Sequence, residues 1–320
     1  MLSLKFNNSY IKYYDAIVSD NEKNGNIKVK KSIGDNYYYK SKSFDMAQEK
    51  MMKNIIDGVL SDYQIDLIIG GDLTNQLEAF YLSNNNNKVS SLGVYSACST
   101  FLESLINAAI IVDKYRNVKN ILCVTSSHNL VSEKEFRYPV EYGALRNENS
   151  TYTATCAIGA IISNEKSSIK ITKTTIGYPC ECGIKDPNYI GAIMAPAAAE
   201  TLYEHIKNNQ ENIGDFDLIL TGDLGSVGLN IFKEYLHKKY EIKLNKCKDA
   251  GANLYNDINE INDGASGPTV LPLYFFYNIL NSKKYKRVLL IGTGSLHSKT
   301  IVNQKNNIPA ISHAVEIEVA

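Results

Sequence analysis

Asp66-Leu67-Ile68-Ile69-Gly70-Gly71-Asp72-Leu73 returns 151 residues further on as Asp217-Leu218-Ile219-Leu220-Thr221-Gly222-Asp223-Leu224. An apolar run that ends in small residues and an aspartate reads as a buried strand turning toward a helix. Its recurrence therefore indicates a duplicated α/β unit. Two further echoes keep the same chain order. Ile121-Leu122-Cys123-Val124 before Thr125-Ser126-Ser127 matches Val288-Leu289-Leu290-Ile291 before Gly292-Thr293-Gly294, and Gly159-Ala160-Ile161 resembles His313-Ala314-Val315. A period of this length is far beyond the roughly 20–50 residues of solenoid repeats, so two fused halves are expected, residues 1–164 and 165–320.

Lys plus Arg and Asp plus Glu are balanced at 34 each, and no polybasic block occurs. Nucleic acid and an anionic membrane surface are therefore not expected as partners. The apolar stretches Leu105 to Val112 and Thr269 to Tyr277 fall short of the roughly 20 residues of a membrane span. No cleavable signal pattern stands at Met1 to Tyr14, and a soluble chain is expected. Six cysteines are too few for a disulfide framework, and Cys180-Glu181-Cys182 lacks a second pair at zinc spacing. Reduced thiols, no metal site and no cofactor are the expectation.

Residues 1–43 are rich in Asn, Lys and Tyr and read as poorly defined strands around an exposed loop from Gly25 to Gly34. A loose helical stripe from Phe44 to Asp57 leads into a strand at Ile65 to Ile69. Its counterpart runs from Pro196 to Lys207, with Pro196 placed in a first helical turn, and leads into Leu218 to Leu220. The alternation of helix and strand in each half predicts mainly parallel sheets covered by helices. Ile121 to Val124 and Val288 to Ile291 have the unbroken hydrophobicity of strands buried on both faces.

Gly93-Val94-Tyr95-Ser96-Ala97-Cys98-Ser99-Thr100-Phe101-Leu102-Glu103 predicts a strand turning into an amphipathic helix, with Thr100 and Glu103 at capping-box spacing. Cys98 would stand at the helix mouth, where free N–H groups and the helix dipole favour a thiolate or an anion. The other reading of Cys98 is a small buried residue at a turn. Asp72 and Asp223, repeated after their strands, suit N-caps. Gly292-Thr293-Gly294 lacks the Gly-Lys-Ser/Thr ending of a phosphate loop and is expected to let backbone approach a pocket.

Ala97-Cys98-Ser99 before an apolar helix, in the first of two repeated α/β halves, resembles the nucleophile turn of the thiolase and ketoacyl-synthase superfamily. Longer phrases narrow the likeness. Gly70-Gly71-Asp72-Leu73-Thr74-Asn75-Gln76, Thr125-Ser126-Ser127-His128-Asn129, Glu135-Phe136-Arg137-Tyr138-Pro139-Val140-Glu141-Tyr142-Gly143 and Met194-Ala195-Pro196-Ala197-Ala198-Ala199 are similar to the stage V sporulation protein AD (SpoVAD) family. That resemblance implies a thiolase-like duplicated fold, two similar halves with mixed sheets and buried helices in an α/β/α/β/α layering. It also implies binding of dipicolinic acid, with or without calcium, for uptake into the developing spore. Further implications are membrane-embedded SpoVA partners, a peripheral place at the forespore or spore inner membrane, and a homodimer.

Condensing enzymes of the superfamily add two His, or a His and an Asn, from the second half to polarise a thioester. In chain order Asp223 falls at the first of these positions and Ala265 at the second, so no condensing activity is expected. Dipicolinate is a flat dianion that calls for N–H or cationic donors and an aromatic wall. The candidate ligand residues are the helix mouth at Cys98 and Ser99, His128 at a strand end, Arg137 with Tyr142 for a carboxylate and ring, and Asp223 facing the pocket, ligating calcium, or capping. Two alternatives stand beside this reading: a residual acyl transferase or thioesterase working through Cys98, and a dimeric scaffold of a spore membrane assembly.

Overall fold

Residues 1–34, 36–136, 148–256 and 263–320 are described by a computed structural model, and within them a 13-stranded sheet runs through both repeats. Ten of its strands carry the duplication. The first half supplies β1 (Tyr10–Val18), β2 (Leu67–Gly71), β3 (Ser91–Gly93), β4 (Asn120–Ser127) and β5 (Cys156–Ser163). The second supplies β6 (Ile169–Ile176), β7 (Leu218–Thr221), β8 (Cys247–Asp249), β9 (Arg287–Ser295) and β10 (Pro309–Val319). The strand order is β8-β7-β9-β10-β6-β1-β5-β4-β2-β3. Each half thus repeats one topology, and the halves meet where β1 pairs with β6 at Tyr10 and Lys170.

The sheet is mixed, where the helix–strand alternation predicts mainly parallel pairing. β2 is parallel to β3 and β4, and β7 is parallel to β8 and β9. The β4–β5 and β9–β10 ladders, and those from β5 to β1 and β10 to β6, are antiparallel. The last strand of each half runs back along its predecessor, a pairing that needs no crossover to the sheet's other end.

Side chains alternate across the strands and so divide the core into three. Ile68, Leu122, Val124 and Ile161 pack outward under α1 (Phe44–Asp62) and Phe80 of α2 (Glu78–Asn84). Ile219, Leu289 and Ile291 pack outward under α4 (Ile190–Asn209) and α5 (Gly225–Tyr240). The opposite faces, with Ile69, Cys123, Leu220 and Leu290, share one central core with α3 (Thr100–Lys114) and the helical run that begins at Val270. Phe101 and Phe276 meet edge to face there at 6.2 Å. Each such ring contributes about 1.5–3 kcal/mol by leaving water. The layers are helix, sheet, helix, sheet, helix, as the resemblance implies.

The N-terminal segment, read from sequence as poorly defined strands, contains β1, whose Ala16 and Val18 are fully buried between the halves. Its polar residues lie on positions where a strand alternates toward solvent, so composition conceals the pattern. Pro196 is the seventh residue of α4 instead of lying in its first turn. Proline supplies no N–H to the Ala192 carbonyl, and the Cys182 thiol stands 4.0 Å from that oxygen and 3.6 Å from the Ile193 oxygen. Burial of Met194, Ala197, Ala198 and Leu202 holds the helix through the break. Gly292-Thr293-Gly294 continues strand β9.

Candidate functional site

The chain leaves β3, and Ala97 turns with φ +50° into a short 3₁₀ segment, Ala97–Ser99, that runs into α3. A left-handed alanine is a strained position that packing must hold. Thr100 Oγ1 donates to the Ala97 carbonyl at 2.6 Å and accepts from Ser96 N–H at 3.1 Å. Glu103 accepts from Ser96 Oγ at 2.7 Å. The expected Thr100–Glu103 capping box is therefore replaced by a Glu103–Ser96 tie, because the 3₁₀ turn places Thr100 inside the helix. Two glycines of β9 make room. A Cβ at Gly294 would overlap the Ser96 carbonyl, and one at Gly292 would stand 2.6 Å from Ser99 Oγ.

Cys98, partly exposed, lies beside Asp223 from the second half, close enough for the carboxylate to act on its thiol. Asp223 follows β7 and is buried. It accepts from Gly267 N–H at 3.2 Å and Thr293 Oγ1 at 2.9 Å. Gly267 holds φ +119°, which an L side chain resists. The capping role belongs to Asp249. That carboxylate accepts from Leu224, Gly225 and Ala252 N–H and from Thr221 Oγ1. Asp72 does cap in the first half, accepting from Phe80 N–H at 2.8 Å within the first turn of α2. The duplicated aspartates have thus parted in role.

The electrostatics run against a thiolate. Burial first, and then the Asp223 charge and hydrogen bond, push the Cys98 thiol well above its ordinary value. Asp223 itself is raised to about 7, by burial first; the Asp249 charge adds to this, while its hydrogen bonds to Cys98, Gly267 and Thr293 oppose it. A carboxylate that accepts from S–H holds the proton on sulfur. The anion-favouring helix mouth expected from sequence is overridden by burial and by this neighbouring carboxylate. Ala265, the other superfamily position, is fully buried and offers only a methyl group.

One imidazole of the second half comes near the turn. His313 Nδ1 accepts from Gly177 N–H at 3.2 Å, so Nε2 carries the proton toward Ser96 Oγ at 3.4 Å. Burial lowers its pKa to about 4. It is a neutral support for Ser96.

Ser99 is buried against Gly292, and its hydroxyl has no hydrogen-bond partner. His128 is fully buried after β4. Its Nε2 donates to the Tyr37 carbonyl at 2.9 Å, and the ring lies 5.4 Å from Phe44 and 5.7 Å from Tyr37. Nδ1 is left without a partner. Burial lowers the pKa, against the Tyr37 bond and the Asp45 charge, which raise it. As a neutral ring His128 offers Nδ1 as an acceptor, and it donates there only when protonated. Arg137 and Tyr142 lie outside the described residues. The structure thus brings Cys98 and Asp223 together and seats Ser99 beside them, and it roots His128 in a separate aromatic nest.

Sequence reading missed Thr293, Gly267 and Asp249, which position or relieve Asp223. Asp249 before Ala250-Gly251-Ala252 is an N-cap signal available in sequence. It also missed two neighbours in the strand-end region of His128. Gln48 donates to Ser126 Oγ at 3.2 Å and leaves its own oxygen unpaired, and Asn129 leaves its Nδ2 unpaired. Buried orphans of this kind suit a polar ligand or ordered water.

A family model described as stage V sporulation protein AD matches residues 2–318. The chain is 36% identical over 295 residues to stage V sporulation protein AD of Bacillus subtilis (strain 168), covering 89% of this chain and 87% of that protein. Among solved structures it is similar to a variant of OleA from Xanthomonas campestris, with TM-score 0.60, 13% identity, and 98% and 99% of the two chains covered. It is similar also to 3-oxoacyl-[acyl-carrier-protein] synthase III from Aquifex aeolicus VF5, with TM-score 0.56, 13% identity, and 97% and 99% covered. These two likenesses establish the thiolase-like fold.

Proposed function

The chain belongs to the stage V sporulation protein AD family, and from that membership we propose that it is a non-catalytic binding protein for dipicolinic acid, or its calcium chelate, during uptake into the developing spore. The observation that carries this reading is the partner of Cys98. Condensing chemistry needs donors aimed at a developing oxyanion, whereas the sulfur here meets the carboxylate of Asp223. A thiol held protonated by burial and a neighbouring carboxylate is a poor nucleophile, which weighs against the acyl transferase or thioesterase alternative. The unpaired atoms of His128, Gln48 and Asn129 supply polar contacts for a small planar ligand, and Phe44 and Tyr37 supply ring faces.

Calorimetric titration with dipicolinate, with and without calcium, tests the proposal. Saturable heat that is lost in His128→Ala supports it. No heat in either condition rejects it. A stable acyl adduct on Cys98 after incubation with acyl-CoA, seen by intact mass, would favour the enzymatic alternative.

No described helix is long and apolar enough to cross a membrane, so attachment at the forespore or spore inner membrane falls to membrane-embedded SpoVA partners in this reading. A homodimer is part of it. β3 is an edge strand, and Leu92 on it, with Tyr81, Leu82 and Tyr95 nearby in sequence, is exposed. Sedimentation of Leu92→Glu against the unmodified chain checks the dimer.

A further inference from the structure

A second cluster of ligand-type side chains lies elsewhere. His205 of α4, Glu211 in the turn after it and Glu316 of β10 converge, their ligand atoms within 4.8 Å of one another. His205 Nε2 stands 3.7 Å from Glu211 Oε2 and 3.6 Å from Glu316 Oε2. The side chains of His205 and Glu316 are fully buried, and that of Glu211 is 7% exposed. His205 Nδ1 is engaged with Thr175 Oγ1 at 2.8 Å. His205 Nε2 and Glu211 Oε2 have no hydrogen-bond partner. Glu316 Oε2 meets Lys173 at 3.3 Å, and the two buried atoms left without a partner beside it suit a bound cation.

The spacing identifies the kind of charge. At 3.6–3.7 Å the nitrogen is beyond hydrogen-bond range of both oxygens. Two ligands each about 2.1 Å from one tetrahedral ion of the zinc class stand about 3.4 Å apart. The surrounding groups resemble an outer coordination shell. Arg287 donates to Glu211 Oε1 at 2.5 Å and to Glu316 Oε1 at 2.9 Å, and Lys173 also pairs with Glu211 Oε1. These contacts occupy the outer oxygens and aim the inner ones at His205. Thr175 fixes the other ring nitrogen in the same way. Lys173 further reaches Glu316 Oε2 at 3.3 Å, and its side chain is 20% exposed, so it has a path to water when a cation arrives.

We propose that His205, Glu211 and Glu316 bind one divalent transition-metal ion of the zinc class, which pins α4 to β10. No sequence spacing announces the site, since its ligands come from a helix, a turn and a distant strand.

The test uses the full chain with Cys180, Cys182 and Cys247 changed to serine, so that thiols do not compete. After chelator treatment it is titrated with Zn²⁺ by calorimetry, and its melting temperature is followed. One ion per chain and a raised melting temperature are expected. His205→Gln and Glu211→Gln should each weaken binding by about tenfold or more. Glu211, in a turn, decides the matter should His205→Gln fail to fold. Absence of stoichiometric binding, or affinity unchanged in Glu211→Gln, overturns the proposal. So does a melting temperature that added Zn²⁺ leaves unchanged.

Discussion

The Cys98 thiol of the first half stands against the Asp223 carboxylate of the second. Gly267 and Thr293 hold the carboxylate in place from the other side. The pair joins the two repeats at the position where the superfamily resemblance leads one to expect a histidine, and it inverts the effect on sulfur. An imidazolium would stabilise a thiolate, and a carboxylate destabilises it.

Asp223→Asn should therefore lower the Cys98 pKa. The amide keeps an oxygen for Gly267 N–H while removing the charge. Alkylation of Cys98 at pH 8, followed by peptide mass, should speed up by about tenfold for each pK unit recovered. An unchanged rate would show that burial alone governs the thiol.

The same carboxylate should leave a mark on stability. With a folded pKa of about 7 and an ordinary unfolded value near 3.9, the native state holds a proton across this window that the unfolded state has released. Its contribution is full below about pH 4, is lost as pH rises toward 7, and is flat above, with a slope of at most about 1.4 kcal/mol per pH unit. Denaturant unfolding of the unmodified chain minus that of Asp223→Asn isolates this slope from other buried carboxylates.

Gly294→Ala should cost about 1–3 kcal/mol, because its Cβ would displace the Ser96 carbonyl. Backbone cannot rotate aside as a side chain can. Chemical denaturation measures the loss, and circular dichroism should show an otherwise intact fold.

Ligand binding at His128 should take up a proton. Its Nε2 is committed to Tyr37, so an anion at Nδ1 needs the imidazolium, which burial disfavours in the free protein. Dipicolinate affinity should then fall up to about tenfold per pH unit above the free pKa. Titration in buffers of different ionisation heats counts the proton directly.

Much of the fold was legible because its signals are local. The unbroken apolar runs of β4 and β9 show strands buried on both faces, and the Asp66 and Asp217 phrases show the doubling. The turn at Cys98 follows from small residues between a strand and an apolar helix. β1 stayed poorly defined because tyrosine, lysine and aspartate obscure a pattern that only its neighbours complete. The site was legible by half: Cys98 and Asp223 were singled out separately, but nothing local joined them.

The sequence by itself determined the duplicated α/β architecture and the strand-to-helix turn at Cys98, since each depends on residue type and short-range periodicity. Only the tertiary structure decided that Asp223 lies beside Cys98 while Asp249 caps, that His128 is rooted at Tyr37, and that His205, Glu211 and Glu316 converge. Those choices depend on strand register and helix placement, which long-range packing fixes between residues that carry no mutual signal along the chain.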